Sequence, residues 1–124
     1  EWIMKFRVFA PMATLAAILI TATSAHAGQT GMAAMHDQRV VGGRLCFTDH
    51  EHVGVGQKAP SKSIAIRQAA RDWSSFTAFE YGSDWAHWNV ARGKKVLCEQ
   101  VAGGYKCEVQ GRPCLAKRVR SATR

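Results

Sequence analysis

Between Pro60 and Gly82 the chain reads SKSIAIRQAARDWSSFTAFEYG, with no glycine or proline before Gly82 and apolar residues at three- and four-residue steps. Ile66, Ala69, Ala70, Trp73 and Phe76 share one face of a helix, while Arg67, Arg71, Asp72 and Ser75 fall largely on the other. Ser61 is placed to cap it, because its hydroxyl can accept an orphan amide hydrogen of the first turn. Gly82 is placed to end it in a left-handed conformation. Lys62 near the start and Glu80 near the end oppose the helix dipole, so packing of the Trp73 face must hold this helix.

Beyond Gly93 the period changes to two. In KKVLCEQV, Val96 and Cys98 share a face; in YKCEVQ, Tyr105, Cys107 and Val109 do, opposite Lys106, Glu108 and Gln110. Ala102-Gly103-Gly104 between them signals a hairpin. Residues 84–92 admit two readings. As a strand they supply an antiparallel partner for KKVLCEQV, which is otherwise missing. They then send Ala86, Trp88 and Val90 toward the helix and Trp85, His87 and Asn89 outward. As a helix between Ser83 and Gly93 they bury Trp85 and Trp88 beside Trp73. The strand is favoured, making Tyr81 and Trp88 core and Trp85 with His87 surface. The fold class expected is α+β: one long helix packed on a small, about three-stranded antiparallel sheet.

The flanks are less patterned. Residues 28–60 hold Gly28, Gly31, Gly42, Gly43, Gly54 and Gly56 with few large apolar side chains, and are expected as an irregular, flexible segment. Val40-Val41 and Leu45-Cys46-Phe47 could form a short strand or a packed strap there. The domain proper is expected at 61–116, followed by a basic tail at 117–124. Upstream, Lys5 and Arg7 precede an apolar run from Val8 to Ile20 and the small-x-small stretch Ala25-His26-Ala27. That is the layout of an export signal with cleavage after Ala27. Pro11 and the shortness of the run argue against a membrane span.

Cleavage there leaves 97 residues, one domain at most. The formal +8 becomes about +7 once Lys5, Arg7 and Glu1 are removed. Four cysteines in a small exported chain read as two disulfides, of three possible connectivities. Paired faces in the hairpin put Cys98 opposite or diagonal to Cys107, which favours that bridge and leaves Cys46 for Cys114. A four-thiolate zinc site would want Cys-x-x-Cys knuckles, which are lacking.

Ala70, Trp73, Tyr81-Gly82, Trp85, Trp88, Ala91, Cys98, Cys107 and Pro113-Cys114 together form a pattern over residues 64–114. It resembles that of small Sec-exported uncharacterised proteins of alphaproteobacteria such as rhizobia. The resemblance implies a bacterial exported protein and brings no catalytic residues or cofactor with it. Cys46 lies outside the matched region.

Candidate chemistry is sparse. Arg39-Val40-Val41-Gly42-Gly43 looks like the activation site of chymotrypsin-like proteases, but the chain is about half the length that fold needs and lacks its nucleophile motif. Asp49-His50-Glu51-His52, with Met32, Met35 and His36 upstream, is rich in metal-binding groups. Strand alternation would put His50 and His52 on one face and the carboxylates on the other, and no His-Glu-x-x-His spacing exists. The reading adopted is a solvated polar loop: no metal site, with His50 and His52 as the candidates were one present. No cofactor is called for.

The sequence thus points to an exported, non-enzymatic interaction module. Its expected surface is Trp85, His87, Arg92, Lys94 and Lys95, and its expected partner an anionic surface or polymer of the envelope or medium. Specific nucleic-acid recognition and a membrane span after signal removal are not expected. The alternatives are an inhibitor or partner of an exported enzyme and a metal-binding accessory protein.

Overall fold

A computed structural model describes residues 28–120; the expected export signal at 1–27 and the last four residues lie outside them. The helix stands where its pattern places it. α1 spans Lys62–Tyr81, and the Ile64 amide donates to Ser61 Oγ at 3.4 Å. The Gly82 amide donates to Ala78 O at 2.9 Å. Gly82 has φ 96°, and a Cβ there would collide with Gly28 O, so the glycine both breaks the helix and admits the N-terminal segment.

The buried stripe of α1 is Ala65, Ala69, Trp73, Thr77 and Tyr81, a strict four-residue repeat. Phe76, expected in the core, is 46% exposed. The helix crosses its sheet along the i+4 ridge, so the contact line passes through Thr77 instead. Thr77 can occupy it because its hydroxyl donates to Trp73 O at 2.7 Å.

The structure has two three-stranded antiparallel sheets, not one. In the first, β5 (Gly104–Arg112) lies between β3 (His52–Val55) and β4 (Arg92–Val101). The hairpin turns at Ala102-Gly103 and sets Cys98 directly opposite Cys107. The third strand is β3, contrary to the strand expected at 84–92. Those residues make two short 3-10 turns, Ser83–Trp85 and Trp88–Val90. The antiparallel partner that β4 calls for is β5, and among the described residues the outer edge of β4 carries no strand, so 84–92 are not needed in the sheet. The second sheet runs in the order β1 (Gln38–Val41), β2 (Arg44–Phe47), β6 (Cys114–Arg118).

Residues 28–60 therefore supply three strands, where an irregular segment was expected. β1 and β2 meet at Gly42-Gly43, whose φ values of 57° and 75° suit a tight hairpin turn. Gly54 lies deep in the interior: a Cβ there would collide with Ala69 O and sit 2.6 Å from the Trp73 Cβ. Its missing side chain lets the helix approach the sheet at backbone distance. The basic tail starts later than expected, since Lys117 and Arg118 belong to β6 and the Val119 amide donates to Gly43 O at 3.0 Å.

The disulfides join Cys46 to Cys114 and Cys98 to Cys107. Ala69, Trp73 and Val109 form the core beneath the first sheet. Ala33, Phe47, Tyr81 and Trp85 form the core beside the second. No helix among the described residues is long and apolar enough to cross a membrane.

Candidate functional site

The surface expected from sequence does not assemble. Trp85 is 2% exposed and stacks on Phe47, with ring centroids 4.6 Å apart. The turn at Ser83–Trp85 swings the indole into the second core, where a strand would have sent it outward. His87 is exposed, but Trp88 packs edge-on against Trp73 at 5.2 Å. Lys94 lies 5.4 Å from the Trp88 ring centre and donates to Asn89 O at 3.1 Å. Lys95 is 3.8 Å from the Glu51 carboxylate.

Arg92 joins a different group. It leans on the Gly42-Gly43 turn, where a Cβ at Gly42 would meet its guanidinium at 2.6 Å. A Cβ at Gly43 would stand 3.2 Å from the Arg118 guanidinium. Arg118 in turn is the register partner of Arg44 across β2 and β6. Among the described residues the ion pairs are His52–Glu80 and Lys95–Glu51, so these three guanidinium groups face no carboxylate. Lys117 and Arg120 extend the same end of the sheet and are exposed. Cross-strand like charges are unfavourable unless an anion or water screens them. Arg44 and Arg118 were missed because neither carries a signal until β2 and β6 are paired.

A second cluster forms where β3, α1 and the N-terminal segment meet. The Asp49–His52 stretch is no solvated loop: His52 is 2% exposed and His50 is half-buried. His52 Nδ1 lies 2.9 Å from Thr77 Oγ1. Thr77 has one hydroxyl hydrogen and gives it to Trp73 O, which can only accept. Thr77 must then accept from His52, so neutral His52 carries its proton on Nδ1. Its Nε2 lone pair is left facing His50 Nε2 at 3.0 Å and Glu80 Oε2 at 3.0 Å.

The ring of His52 stacks on Tyr81 at 5.1 Å and leans on Phe76 at 4.8 Å. Tyr81 OH lies 3.0 Å from His36 Nε2, and the His36 and His50 rings are 4.5 Å apart. Burial holds His52 below the ordinary imidazole range; the Glu80 carboxylate pulls upward and His50 adds to the lowering. His50 is lowered by burial and then by His36, against Glu80. Burial raises the Tyr81 phenol, and the neighbouring Glu80 carboxylate adds to the rise. In front of His36 and His50 opens a cavity of about 290 Å³, also lined by Met35, Asp37, Thr48 and Asp49.

No family model, curated protein or solved structure matches this chain.

Proposed function

We propose that the protein is an exported, non-enzymatic interaction module that binds anionic envelope material through the arginine cluster at the Gly42-Gly43 turn. The observation that carries this reading is the approach of Arg92 and Arg118 to the Gly42-Gly43 turn, with Arg44 in register opposite Arg118 and donating to Leu115 O at 3.4 Å, three arginines with no carboxylate partner among the described residues. An anionic headgroup would relieve their mutual repulsion and take their fixed donors. Export is supported by the signal-like start of the chain and by the two disulfides. The binding surface differs from the one centred on Trp85, whose indole belongs to the core.

Sedimentation with vesicles containing an anionic phospholipid tests the reading. Each basic residue at such a surface contributes about 1 kcal/mol, so Arg44→Gln with Arg118→Gln should weaken binding by about 30-fold. Binding should also fall steeply with salt. Failure of the oxidised protein to bind anionic vesicles, acidic polysaccharide or DNA at low salt would sink it.

One feature favours a second reading, a protein partner such as an exported enzyme. The face of the first sheet turned away from α1 exposes Val53, Val55 and Leu97, the last at 66%. Val55 and Leu97 flank Glu108 from either side and border a depression of about 340 Å³. Binding that keeps its strength in high salt, and is lost in Leu97→Asp rather than in the arginine variants, would select this reading.

A further inference from the structure

We propose that His50 Nε2, His52 Nε2 and the Glu80 carboxylate form a binding site for a divalent transition-metal ion of the Zn²⁺ class, with its remaining position toward the cavity before His36. Three metal-ligating side chains from β3, the turn before it and the last turn of α1 converge on one point. With Thr77 fixing the His52 proton on Nδ1, the Nε2 lone pair is aimed at a second imidazole nitrogen and at a carboxylate oxygen, both 3.0 Å away. A lone pair and a carboxylate oxygen facing each other in a largely buried place call for a positive charge or a proton between them, and a metal ion also engages the His50 nitrogen beside them.

The geometry suits a metal. All three ligand atoms lie within 4.8 Å of one another. Ligands of a tetrahedral zinc ion, at bonds of about 2.0–2.2 Å, stand about 3.4 Å apart, so small side-chain adjustments would admit the ion. Two imidazoles with one carboxylate favour zinc or copper over magnesium or calcium, which prefer all-oxygen shells.

The support around the donors has the form such sites take. Thr77 holds His52 in the ligating tautomer from behind. Tyr81, Phe76 and Trp73 wall the His52 ring, so it is already oriented. The cavity gives access from solvent, and Asp37 and Asp49 at its mouth supply negative charge in an otherwise basic chain. His36, now held by Tyr81 OH, stands beside His50 as the nearest further imidazole.

The test is a competition titration of the oxidised protein with Zn²⁺ against a chromogenic chelator. It is run beside His50→Ala, Glu80→Gln, Thr77→Val and the control His87→Ala, with circular dichroism to verify each fold. The expected result is one Zn²⁺ per chain at micromolar Kd or tighter, unchanged in His87→Ala. Thr77→Val should lose about 10–100-fold in affinity, and His50→Ala and Glu80→Gln at least about 10-fold. Bound Zn²⁺ should also raise Tm in the unaltered chain. His50 is half-buried, so its loss spares the core, and His50→Ala decides the matter if a more buried variant fails to fold. Binding no tighter than millimolar overturns the proposal and leaves a proton between His52 and Glu80 as what reconciles the facing acceptors. Unchanged affinity in His50→Ala also overturns it, by placing the ion elsewhere. No residue is shared with the arginine cluster, so either reading can fail without the other.

Discussion

The sheet of β3, β5 and β4 and the sheet of β1, β2 and β6 are built from differently distributed pieces of chain. In the first, β4 and β5 meet across a two-residue turn, and their disulfide joins residues 9 apart. In the second, β2 must find β6 from the far end of the domain, and its disulfide closes a separation of 68. Loop-closure entropy makes these cross-links unequal, at about 2.5 kcal/mol for the short one and about 4.5 kcal/mol for the long one. The cores differ as well. Beneath the first sheet, Gly54 and the alanines of α1 bring backbones together around Trp73. Beside the second, three aromatic rings, Phe47, Tyr81 and Trp85, fill the space. One helix serves both, with Ala69 and Trp73 facing one core, Ala65 packing on Ala59 and Cys107 at the end of the same sheet, and Tyr81 reaching the other core. The first sheet needs close approach; the second needs cross-linking and bulk.

That contrast can be broken by experiment. Replacing Cys46 and Cys114 together by serine should cost the most, about 4.5 kcal/mol in a urea titration, a large share of a small domain's stability. Amides of β1, β2 and β6 should lose hydrogen-exchange protection before those of β4 and β5 do. Trp85→Ala should follow at about 3–5 kcal/mol, because it empties the centre of the aromatic core. A Trp85→Ala chain of unchanged stability would return that indole to the surface.

The short bridge should matter less: serine at Cys98 and Cys107 should cost about 2.5 kcal/mol. Equal costs for the two double variants would end the distinction between a local and a long-range sheet. Gly54→Ala should cost about 1–3 kcal/mol with a lower denaturation midpoint, since the added methyl meets the Ala69 carbonyl on the helix backbone. His87→Ala, on an exposed turn, should stay within about 0.5 kcal/mol.

Legibility followed the same division. α1 and the β4–β5 hairpin announce themselves, because each repeats its period over enough residues and is bounded by Ser61, Gly82 or Gly103. The strands of 28–60 are four residues each, too short for a period to emerge. Val40-Val41-Gly42-Gly43-Arg44-Leu45 did carry a hairpin signal in its paired glycines. Gly54 and Gly56 point the wrong way to a reader of sequence. They look like marks of a loose loop, and they are where the helix presses on the sheet. Phe76 and Thr77 mislead similarly, since hydrophobicity alone assigns a phenylalanine to the core and a threonine to the surface. Only the hydrogen bonds of Thr77 show why the order is reversed.

The candidate sites were hardest to read. Strand alternation did place His50 and His52 on one face, but Glu80 comes from the last turn of α1 and His36 from the segment before β1. Arg44 and Arg118 are 74 positions apart and become neighbours only through β2 and β6. By itself, the sequence determined the long helix and its cap, the hairpin and the facing of Cys98 with Cys107. All of these are set by contacts a few residues apart. Tertiary structure alone decided that there are two sheets, that Trp85 is core, and that arginines and histidines gather into two clusters. Those outcomes depend on which distant strand fills which edge, and no local preference encodes that choice.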